Sequence, residues 1–348
     1  MQTEVKDAFL KLLRNALWNR PIEDWKDLSL QQWKDLYTFA EAHTLVGTLF
    51  DALNTLPEDN NAPSELLLTW VVAVQRIEDE YARHSKIVGI QRAAWEKRGL
   101  KALLLKGLDS AAMYIVPEHR KCGDIDWYFG SDEDWSAANA IAAENGCKLE
   151  TDSDGDVHYL LSGVVVEHHR RWNDASSTRA RRVMDALPLE KPEAQLLMRN
   201  VHILKHVMVG GIGLRQFCDL ALAYRYYDGL YDSARLENLL DEAGLAKWNG
   251  LLNAFLAKVL ECDYIAKVNE VPDADLEWLV ETVFDDGNFG KKRQGAEGKK
   301  RHGAFALLRS AMSRSLLFLR YAPREYMARI GSLVIGRMKR KMKIRLVK

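Results

Sequence analysis

The spacing of apolar residues predicts helices over the first hundred positions. Apolar side chains recur at helical intervals in three stretches, roughly Glu4 to Trp18, Ser29 to Asn54 and Ser64 to Arg98. Ser29 is expected to cap the second helix, because its hydroxyl can accept a hydrogen bond from a free backbone N–H. Residues 1–98 are therefore predicted to form an N-terminal helical region.

Between residues 99 and 172 the pattern changes to short apolar strands that alternate with helices. This alternation is typical of a mixed α/β unit. Strands are predicted at Leu100–Leu105, around Ile125, and in a hairpin of Val157–Leu161 and Gly163–His169 with Ser162-Gly163 at its turn; helices are predicted at Leu108–Tyr114 and at Ser131–Asn145, the latter stopped by Gly146.

Helical spacing returns after residue 172 and predicts a bundle over 173–285, followed by a basic loop and helical tail over 286–348. The bundle helices are predicted at Pro192–Val209, Leu214–Asp228, Ser233–Ala243 and Lys247–Cys262. The fold class is thus α+β, with a small mixed-sheet core flanked by N-terminal and C-terminal helical regions.

Composition excludes several classes of protein. No stretch of eighteen uncharged apolar residues predicts a transmembrane segment, and the first residues lack the basic start and apolar middle of a secretory signal. The four cysteines are far apart, without the spacing of a zinc site or a disulfide framework, and are expected to be reduced. A cytoplasmic location is expected.

Asp124 and Asp126 are the strongest signal for chemistry. They flank Ile125 in an otherwise apolar segment, and side chains at i and i+2 of a strand point to the same face. Two neighbouring carboxylates are costly to bury without a cation, so the pair suggests a divalent-metal site. The simpler interpretation is a solvent-facing strand end.

The Lys106-Gly107 turn and Glu167 are candidates for the same site as Asp124 and Asp126. Lys106-Gly107 lies between a strand and a predicted helix, where backbone N–H groups and the helix dipole favour a phosphate. Lys106 can also be a solvated strand end. Glu167 follows three valines, on the same strand face as Val165 and His169, and is either a third carboxylate of the site or a charge that protects a sheet edge.

These residues together resemble the nucleotidyltransferase superfamily that shares its fold with DNA polymerase beta. The resemblance rests on the Lys-Gly turn, the Arg120-x-x-Gly-Asp-Ile-Asp segment and the Val-x-Glu-x-His strand. More narrowly, the chain is similar to the bacterial family of uncharacterised nucleotidyltransferases. Further matches to that family are His202-Ile-Leu-Lys-His206, Gly213-Leu-Arg-Gln-Phe-Cys-Asp219 and Asp286-Gly-Asn-Phe-Gly290.

The resemblance implies transfer of a nucleoside monophosphate from a nucleoside triphosphate, ATP being the expected donor, to an unknown acceptor. It implies Mg²⁺ or Mn²⁺ held by Asp124, Asp126 and Glu167, with Lys106, Gly107 and Arg120 binding the nucleotide. His169 is a second-rank residue that would orient a carboxylate or the substrate. The superfamily's glycine is usually followed by serine, whereas Leu108 follows Gly107 here.

Other second-rank residues lie in the predicted bundle. His202 and His206 share a helical face at i and i+4, a spacing that can bind a metal but more often serves hydrogen bonding. Arg215 and Asp219 have the same spacing and form either a helix salt bridge or, through Arg215, a phosphate contact.

The net charge of zero conceals a strong asymmetry. Residues 291–348 contain 18 Lys or Arg and two acidic residues, whereas the first 290 residues contain 31 basic and 47 acidic ones. The segment Lys291–Lys348 can therefore contact an anionic surface, such as nucleic acid or membrane, or its own acidic body. An apolar helical stripe, including Leu307, Leu308, Met312, Leu316 and Phe318, suggests packing on protein.

Three functions remain open from the sequence. The first is a metal-dependent nucleotidyltransferase. The second is a catalytically silent relative with a regulatory or scaffold role, which the missing serine after Gly107 favours slightly. The third is a nucleic-acid or anionic-membrane binder that acts through its basic tail.

Overall fold

The computed structural model describes residues 3–57, 60–152, 155–209, 211–287 and 315–332. The chain divides into two compact units, Met1–Trp172 and Asn173–Lys348. Both units are largely helical, and the first contains a five-stranded mixed sheet, which confirms the α+β prediction. The finer division at residues 98 and 285 stays a prediction.

The first unit contains six helices and five strands in its described part. The helices are α1 (Thr3–Trp18), α2 (Leu30–Ala42), α3 (Val46–Leu53), α4 (Ser64–Glu96), α5 (Leu108–Ala111) and α6 (Asp132–Glu144), and the strands are β1 (Ala102–Leu104), β2 (Ile125–Phe129), β3 (Glu150–Thr151), β4 (Val157–Leu161) and β5 (Val164–His169).

The predicted single helix over residues 29–54 is wrong. Ser29 does cap α2, in a capping box with Gln32, but the helix ends at Ala42 and α3 begins at Val46. Between them Thr44 adopts a left-handed φ of 58°. The backbone N–H groups of Thr44 and Leu45 close the end of α2 by bonding to the carbonyls of Glu41 and Ala40, so the chain turns within three residues.

The sheet has the strand order β1-β2-β5-β4-β3. Strands β2 and β5 are parallel, and the other pairs are antiparallel. The β4-β5 hairpin turns at Ser162 and Gly163, both with positive φ, as a two-residue turn requires and as the sequence predicts. Because β5 lies between β2 and β4, Glu167 is not on an edge strand, and the edge-charge interpretation is wrong.

One face of the sheet packs against α4 and α6 and forms the core. Large side chains from both helices and from β2 meet there, including Trp95, Trp127, Phe129 and Ile141. His168 is also on this face, fully buried, and its ring bonds to Asn139 and Tyr159. Burial lowers the pKa of His168 to about 3, so this histidine is neutral. The opposite face of the sheet carries the side chains of Asp126, Glu167 and His169.

The segment that leads into β2 is held against α3 and α4. His119 lies 2.5 Å from Asp51 and 3.0 Å from Glu78. His84 of α4 bonds through Nε2 to the carbonyl of Gly123, at 2.6 Å. Gly47 of α3 permits this packing, because a Cβ there would lie 2.2 Å from the carbonyl oxygen of His119. These contacts fix where β2 begins.

The second unit is a helical bundle in the described part of 173–287. Its helices are α7 (Thr178–Asp185), α8 (Pro192–Val209), α9 (Leu214–Tyr226), α10 (Ser233–Ala243), α11 (Ala246–Val259) and α12 (Asp273–Asp286). Helices α7 and α12 had no counterpart in the predicted set. Helix α12 begins directly after Pro272, a position that tolerates proline because no intrahelical N–H bond is needed there.

Residues 315–321 and 323–332 are helical, and their inner side belongs to the bundle. Phe318 is buried there, whereas Leu316 is two-thirds exposed, so the prediction that both pack on protein is wrong for Leu316. Most of the predicted basic loop and tail over 286–348 lies outside the described residues, including the 288–290 part of the Asp286–Gly290 motif and Leu307, Leu308 and Met312. No described helix has the length and apolar character of a membrane span.

Candidate active site

Asp126 and Glu167 lie side by side on the half-buried face of the sheet opposite the core. They are direct partners in the register of the parallel strands β2 and β5. Ile125 and Trp127, which flank Asp126 in β2, point into the core. Because side chains alternate along a strand, the side chain of Asp126 lies on the opposite face. The structure thus brings together two carboxylates that are forty-one positions apart.

His169 completes a three-residue group with Asp126 and Glu167. One potential ligand atom from each residue lies within 4.8 Å of the others. The Nε2 atom of His169 is 2.9 Å from Asp126 and 3.4 Å from Glu167, and its Nδ1 atom is 2.8 Å from Asp156. Burial lowers the pKa of His169, but the hydrogen bonds to Asp126 and Asp156 outweigh burial and raise it to about 10.

Opposing effects act on the pKa of Glu167. Burial and the neighbouring charge of Asp126 raise the pKa of Glu167, while His169 and Lys106 act in the opposite direction. Carboxylates crowded on a half-buried face in this way favour any cation that can be placed between them. The group therefore has the oxygen donors and the excess negative charge that a divalent metal requires.

Asp124 lies directly before β2, exposed, and two residues from Asp126. Its charge also raises the pKa of Glu167, so it acts on the same group. Among the described residues, however, the three that converge within 4.8 Å do not include Asp124. His169, a second-rank residue of the sequence prediction, belongs to this group, and coordination of a metal by Asp124 stays a prediction.

The Lys106-Gly107 turn is next to the carboxylates. Gly107 has a positive φ of 68°, and a Cβ on it would lie 3.4 Å from the carbonyl oxygen of Asp124. The positive charge of Lys106 acts on both Glu167 and His169. The turn, Asp124, Asp126, Glu167 and His169 therefore form one site.

A family model described as uncharacterised nucleotidyltransferase matches residues 29–261, two-thirds of the chain. The chain belongs to this nucleotidyltransferase family. No curated protein and no solved structure matches it.

Membership of the nucleotidyltransferase family makes this protein a transferase of phosphorus-containing groups. The matched residues include the whole sheet and every residue of the site in the first unit. They also include α8 and α9 of the second unit, which carry the second-rank residues.

The helix after the phosphate-type turn is shorter than the sequence predicts for this nucleotidyltransferase. It spans Leu108–Ala111, and the hydrogen bonds of Met113 and Tyr114 then close to the third preceding residue rather than the fourth. A four-residue helix has almost no macrodipole, so α5 adds little to a phosphate site, and phosphate binding at the Lys106-Gly107 turn stays a prediction. Lys106 remains as the cationic element of the turn.

Arg120 stabilises the Lys106-Gly107 turn by a hydrogen bond to its backbone. Its side chain is buried, and its Nη1 atom donates to the carbonyl of Gly107 at 2.9 Å. The guanidinium also lies 5.9 Å from the centre of the Tyr114 ring. This geometry suits a residue that holds the Lys106-Gly107 turn in place, whereas direct contact of Arg120 with nucleotide stays a prediction.

Leu108 occupies the position at which a serine is usual. Its side chain is half-buried and packs against the core formed by α4, α6 and the sheet. The substitution therefore adds apolar packing under the turn, where a hydroxyl would otherwise offer a hydrogen bond.

Asp156 is the site residue that the sequence interpretation missed. Its two oxygens bond to the Nδ1 atom of His169 and, at 3.0 Å, to the backbone N–H of Arg170. The signal was present in the hairpin: with Ser162 and Gly163 at the turn, Val157 pairs with His168, so Asp156 comes opposite His169.

The second-rank residues of the bundle lie in the second unit. His206 is on α8, where its ring packs edge-on against His202 at 4.4 Å, and His202 bonds to Asp174 at 2.8 Å. Arg215 and Asp219 are on α9, and Asp219 is buried. Roles for these residues in nucleotide transfer stay predictions.

Proposed function

We propose that this protein transfers a nucleoside monophosphate from a nucleoside triphosphate, ATP being the expected donor, to an acceptor that carries a hydroxyl group. The acceptor oxygen bonds to the α-phosphorus, the bond from the α-phosphorus to the bridging oxygen breaks, and pyrophosphate leaves with the electron pair. The acceptor's proton passes to a base in the site.

The observation that carries the proposal is the pairing of Asp126 with Glu167 on adjacent strands, beside His169 and Lys106. Nucleotide transfer needs negative charge for metal and positive charge for phosphate in one place. The half-buried face of this sheet that carries Asp126 and Glu167 offers both. Family membership independently supports the same class of reaction.

Asp126 and Glu167 would hold a Mg²⁺ or Mn²⁺ ion, with Asp124 as a further oxygen donor beside them. Their hard carboxylate oxygens are the ligands these ions prefer. When bound, such an ion neutralises charge that develops on the phosphates and positions the reacting oxygens.

The other residues of the site have roles that follow from their contacts. Lys106 presents a cation at the turn, suited to phosphate oxygens. His169, fixed on one side by Asp156, fixes the carboxylate of Asp126 on the other. Burial and the neighbouring charge of Asp126 raise the pKa of Glu167, which suits this carboxylate to accept the proton of the acceptor hydroxyl.

One observation favours a second function. Leu108, half-buried against the core, stands in place of a serine that would help to bind the triphosphate. A catalytically silent nucleotidyltransferase that binds nucleotide in a regulatory or scaffold role would keep the carboxylates but release no pyrophosphate.

The test is transfer of label. Purified protein is incubated with each of the four nucleoside triphosphates, labelled at the α-phosphate, together with Mg²⁺ and a cell extract that supplies acceptors. We expect label to pass to one class of molecule, with pyrophosphate released. Asp126→Asn should lower the rate at least about a hundredfold, whereas Asp132→Asn, on the exposed first turn of α6, should leave it unchanged.

Calorimetry separates the two functions. Metal-dependent ATP binding without pyrophosphate release supports the silent relative. Transfer that Asp126→Asn leaves intact contradicts the assignment of the site.

A further inference from the structure

A cavity opens between helices of the second unit. Its walls are α9, α10, α11 and the segment 265–269 that follows α11. The lining residues of α11 are Ala246, Asn249 and Asn253, which recur at helical spacing and so share one face. The volume of the cavity is about 130 Å³. An engineered protein cavity of about 150 Å³ holds one benzene ring, so this one has room for a single six-membered ring.

The bottom of the cavity, which we call the floor, consists of buried polar side chains without charge. Tyr224, Asn249 and Asn253 form it, with exposed fractions of 3%, 9% and 6%. The hydroxyl of Tyr224 donates to the Oδ1 atom of Asn253 at 3.3 Å, and the Nδ2 atom of Asn253 donates to the carbonyl of Lys267 at 3.3 Å. Burial raises the pKa of Tyr224, so its hydroxyl stays protonated. The floor therefore offers hydrogen-bonding groups and no charge.

Asn249 presents a hydrogen-bond donor to the cavity. Its Oδ1 atom accepts from the Nδ2 atom of Asn200 at 2.9 Å, and Asn200 does not line the cavity. The Nδ2 atom of Asn249 is thus the amide atom on the cavity side, and it has no hydrogen-bond partner among the residues that the structure describes. A buried amide donor without a partner is costly, so a ligand that accepts a hydrogen bond there is favoured.

Apolar side chains line another wall of the same cavity. Leu236 and Leu240 of α10 are buried along it, as is Ile265. The ring of Tyr231 also lines the cavity, edge-on to Tyr224 with the ring centres 6.0 Å apart. A ring that carries hydroxyl groups fits such a cavity, because hydroxyls both donate and accept hydrogen bonds while C–H groups gain from burial against apolar side chains.

Charged residues occur only at the exposed mouth of the cavity, among its described lining residues. They are Glu237, Asp241 and Lys267. Lys267 is paired with Glu237 at 3.1 Å, so two carboxylates surround the mouth and the single ammonium group is already neutralised. An anionic ligand would meet net repulsion there, whereas a neutral ligand with hydroxyl groups would not.

We propose that this cavity binds one neutral, polyhydroxylated six-membered ring, that is, a monosaccharide in its pyranose form. One ligand oxygen would accept a hydrogen bond from the Nδ2 atom of Asn249, and the C–H groups of the ring would pack against Leu236 and Leu240. The proposal concerns binding alone and is independent of the nucleotide-transfer function.

The test is saturation-transfer NMR of the full chain with glucose, galactose and mannose, without nucleotide. We expect at least one sugar to bind with a dissociation constant on the order of 1 mM, as its few non-hydrogen atoms allow. The 6-phosphate of that sugar should bind at least about fivefold more weakly, because the carboxylates at the mouth repel it. Cyclohexanol, which has the ring but one hydroxyl, should bind at least about tenfold more weakly.

Two substitutions place the sugar in the cavity. Asn249→Asp keeps the acceptor for Asn200 but removes the donor to the cavity, and should weaken binding at least about fivefold. Ala246→Leu fills the cavity from α11 and should weaken binding at least about tenfold. Ala234→Leu is the matched control, because Ala234 is exposed on α10 and does not line the cavity, and it should bind as the unmodified chain does.

The outcomes are distinct. Circular dichroism establishes that each variant is folded, and Ala246→Leu serves alone if Asn249→Asp does not fold. Absence of saturation transfer to all three sugars overturns the proposal, as does sugar binding that a folded Ala246→Leu variant retains in full. Tighter binding of the 6-phosphate, of the 2-amino sugar or of cyclohexanol overturns it in favour of an anionic, cationic or apolar ligand.

Discussion

The Nδ1 atom of His169 lies 2.8 Å from the Oδ2 atom of Asp156, across the β4-β5 hairpin. The same ring reaches Asp126 through Nε2, so one imidazolium links the end of the hairpin to the carboxylate of the site. Asp156 therefore positions a residue of the site without belonging to its three-residue group.

Comparing two substitutions of Asp156 should distinguish the contribution of its charge to stability from that of its hydrogen bonds. Asp156→Ala leaves His169 Nδ1 and the N–H of Arg170 without their acceptor, and should lower the free energy of unfolding by about 1–3 kcal/mol. Asp156→Asn keeps one acceptor oxygen, which can serve only one of these two donors, so it should cost less than Asp156→Ala but should not restore the full stability. Urea denaturation of both variants is the measurement, and equal losses contradict the role of the hydrogen bond.

Replacing Glu167 by Gln should preserve or raise the stability of the protein but impair nucleotide transfer. Burial and Asp126 disfavour its charged form, so Glu167→Gln should leave the free energy of unfolding unchanged or raise it, within about 1 kcal/mol. The same variant should lower nucleotide transfer at least about a hundredfold. Glu150→Gln on the exposed edge strand β3 is the matched control and should change neither quantity. A large loss of stability in Glu167→Gln would show that the carboxylate is structural.

His119 should make stability depend on pH. Its hydrogen bonds to Asp51 and Glu78 raise its pKa above the ordinary value of 6.5. The folded state then binds the proton more tightly, so this stabilisation is fully present below pH 6.5 and is lost as the pH rises through the raised pKa.

The measurement is urea unfolding of the unmodified chain and of His119→Gln at several pH values. The difference in unfolding free energy should be largest in mild acid and should shrink in alkali. In an Asp51→Asn background the pH dependence of that difference should be smaller. A difference that grows with pH has the wrong sign for this mechanism.

Gly47 and Gly89 should respond oppositely to the same substitution. Gly47→Ala places a methyl group 2.2 Å from the carbonyl oxygen of His119, so α3 and the segment before β2 must separate. We expect a loss of about 1–3 kcal/mol. Gly89→Ala, inside α4 with open space around it, should gain about 0.5–1 kcal/mol from helix propensity. Thermal denaturation measures both, and similar values for the two variants contradict the close packing at Gly47.

Local signals in the sequence determined much of the first unit. The period of apolar residues predicts α1, α4 and α6, Ser29 marks the start of α2, and the turn at Ser162-Gly163 determines the hairpin register. These features depend on residues close in the chain, and their energetics are largely local. The resemblance carried by Lys106-Gly107, Asp124, Asp126 and Glu167 likewise predicted the nucleotidyltransferase family that the comparison shows.

Local pattern failed where alternative backbone geometries have similar energies. The end of α2 at Ala42 and the short length of α5 depend on a left-handed Thr44 and on tight turns near Ser110, which apolar spacing does not encode. Leu316 was assigned to a packed stripe because its spacing fits, but a period determines a face and not what covers that face.

Only the tertiary structure decided how the site is assembled. The sequence by itself determined that Asp126 and Glu167 are acidic residues on strands; parallel pairing of β2 with β5 made them neighbours. That pairing joins segments far apart in the sequence. It is favoured because it buries Trp127, Val166 and His168 against α4 and α6 on one face and leaves the carboxylates on the other. The entry of His169 into the site, with Asp156 behind it, follows from the same burial.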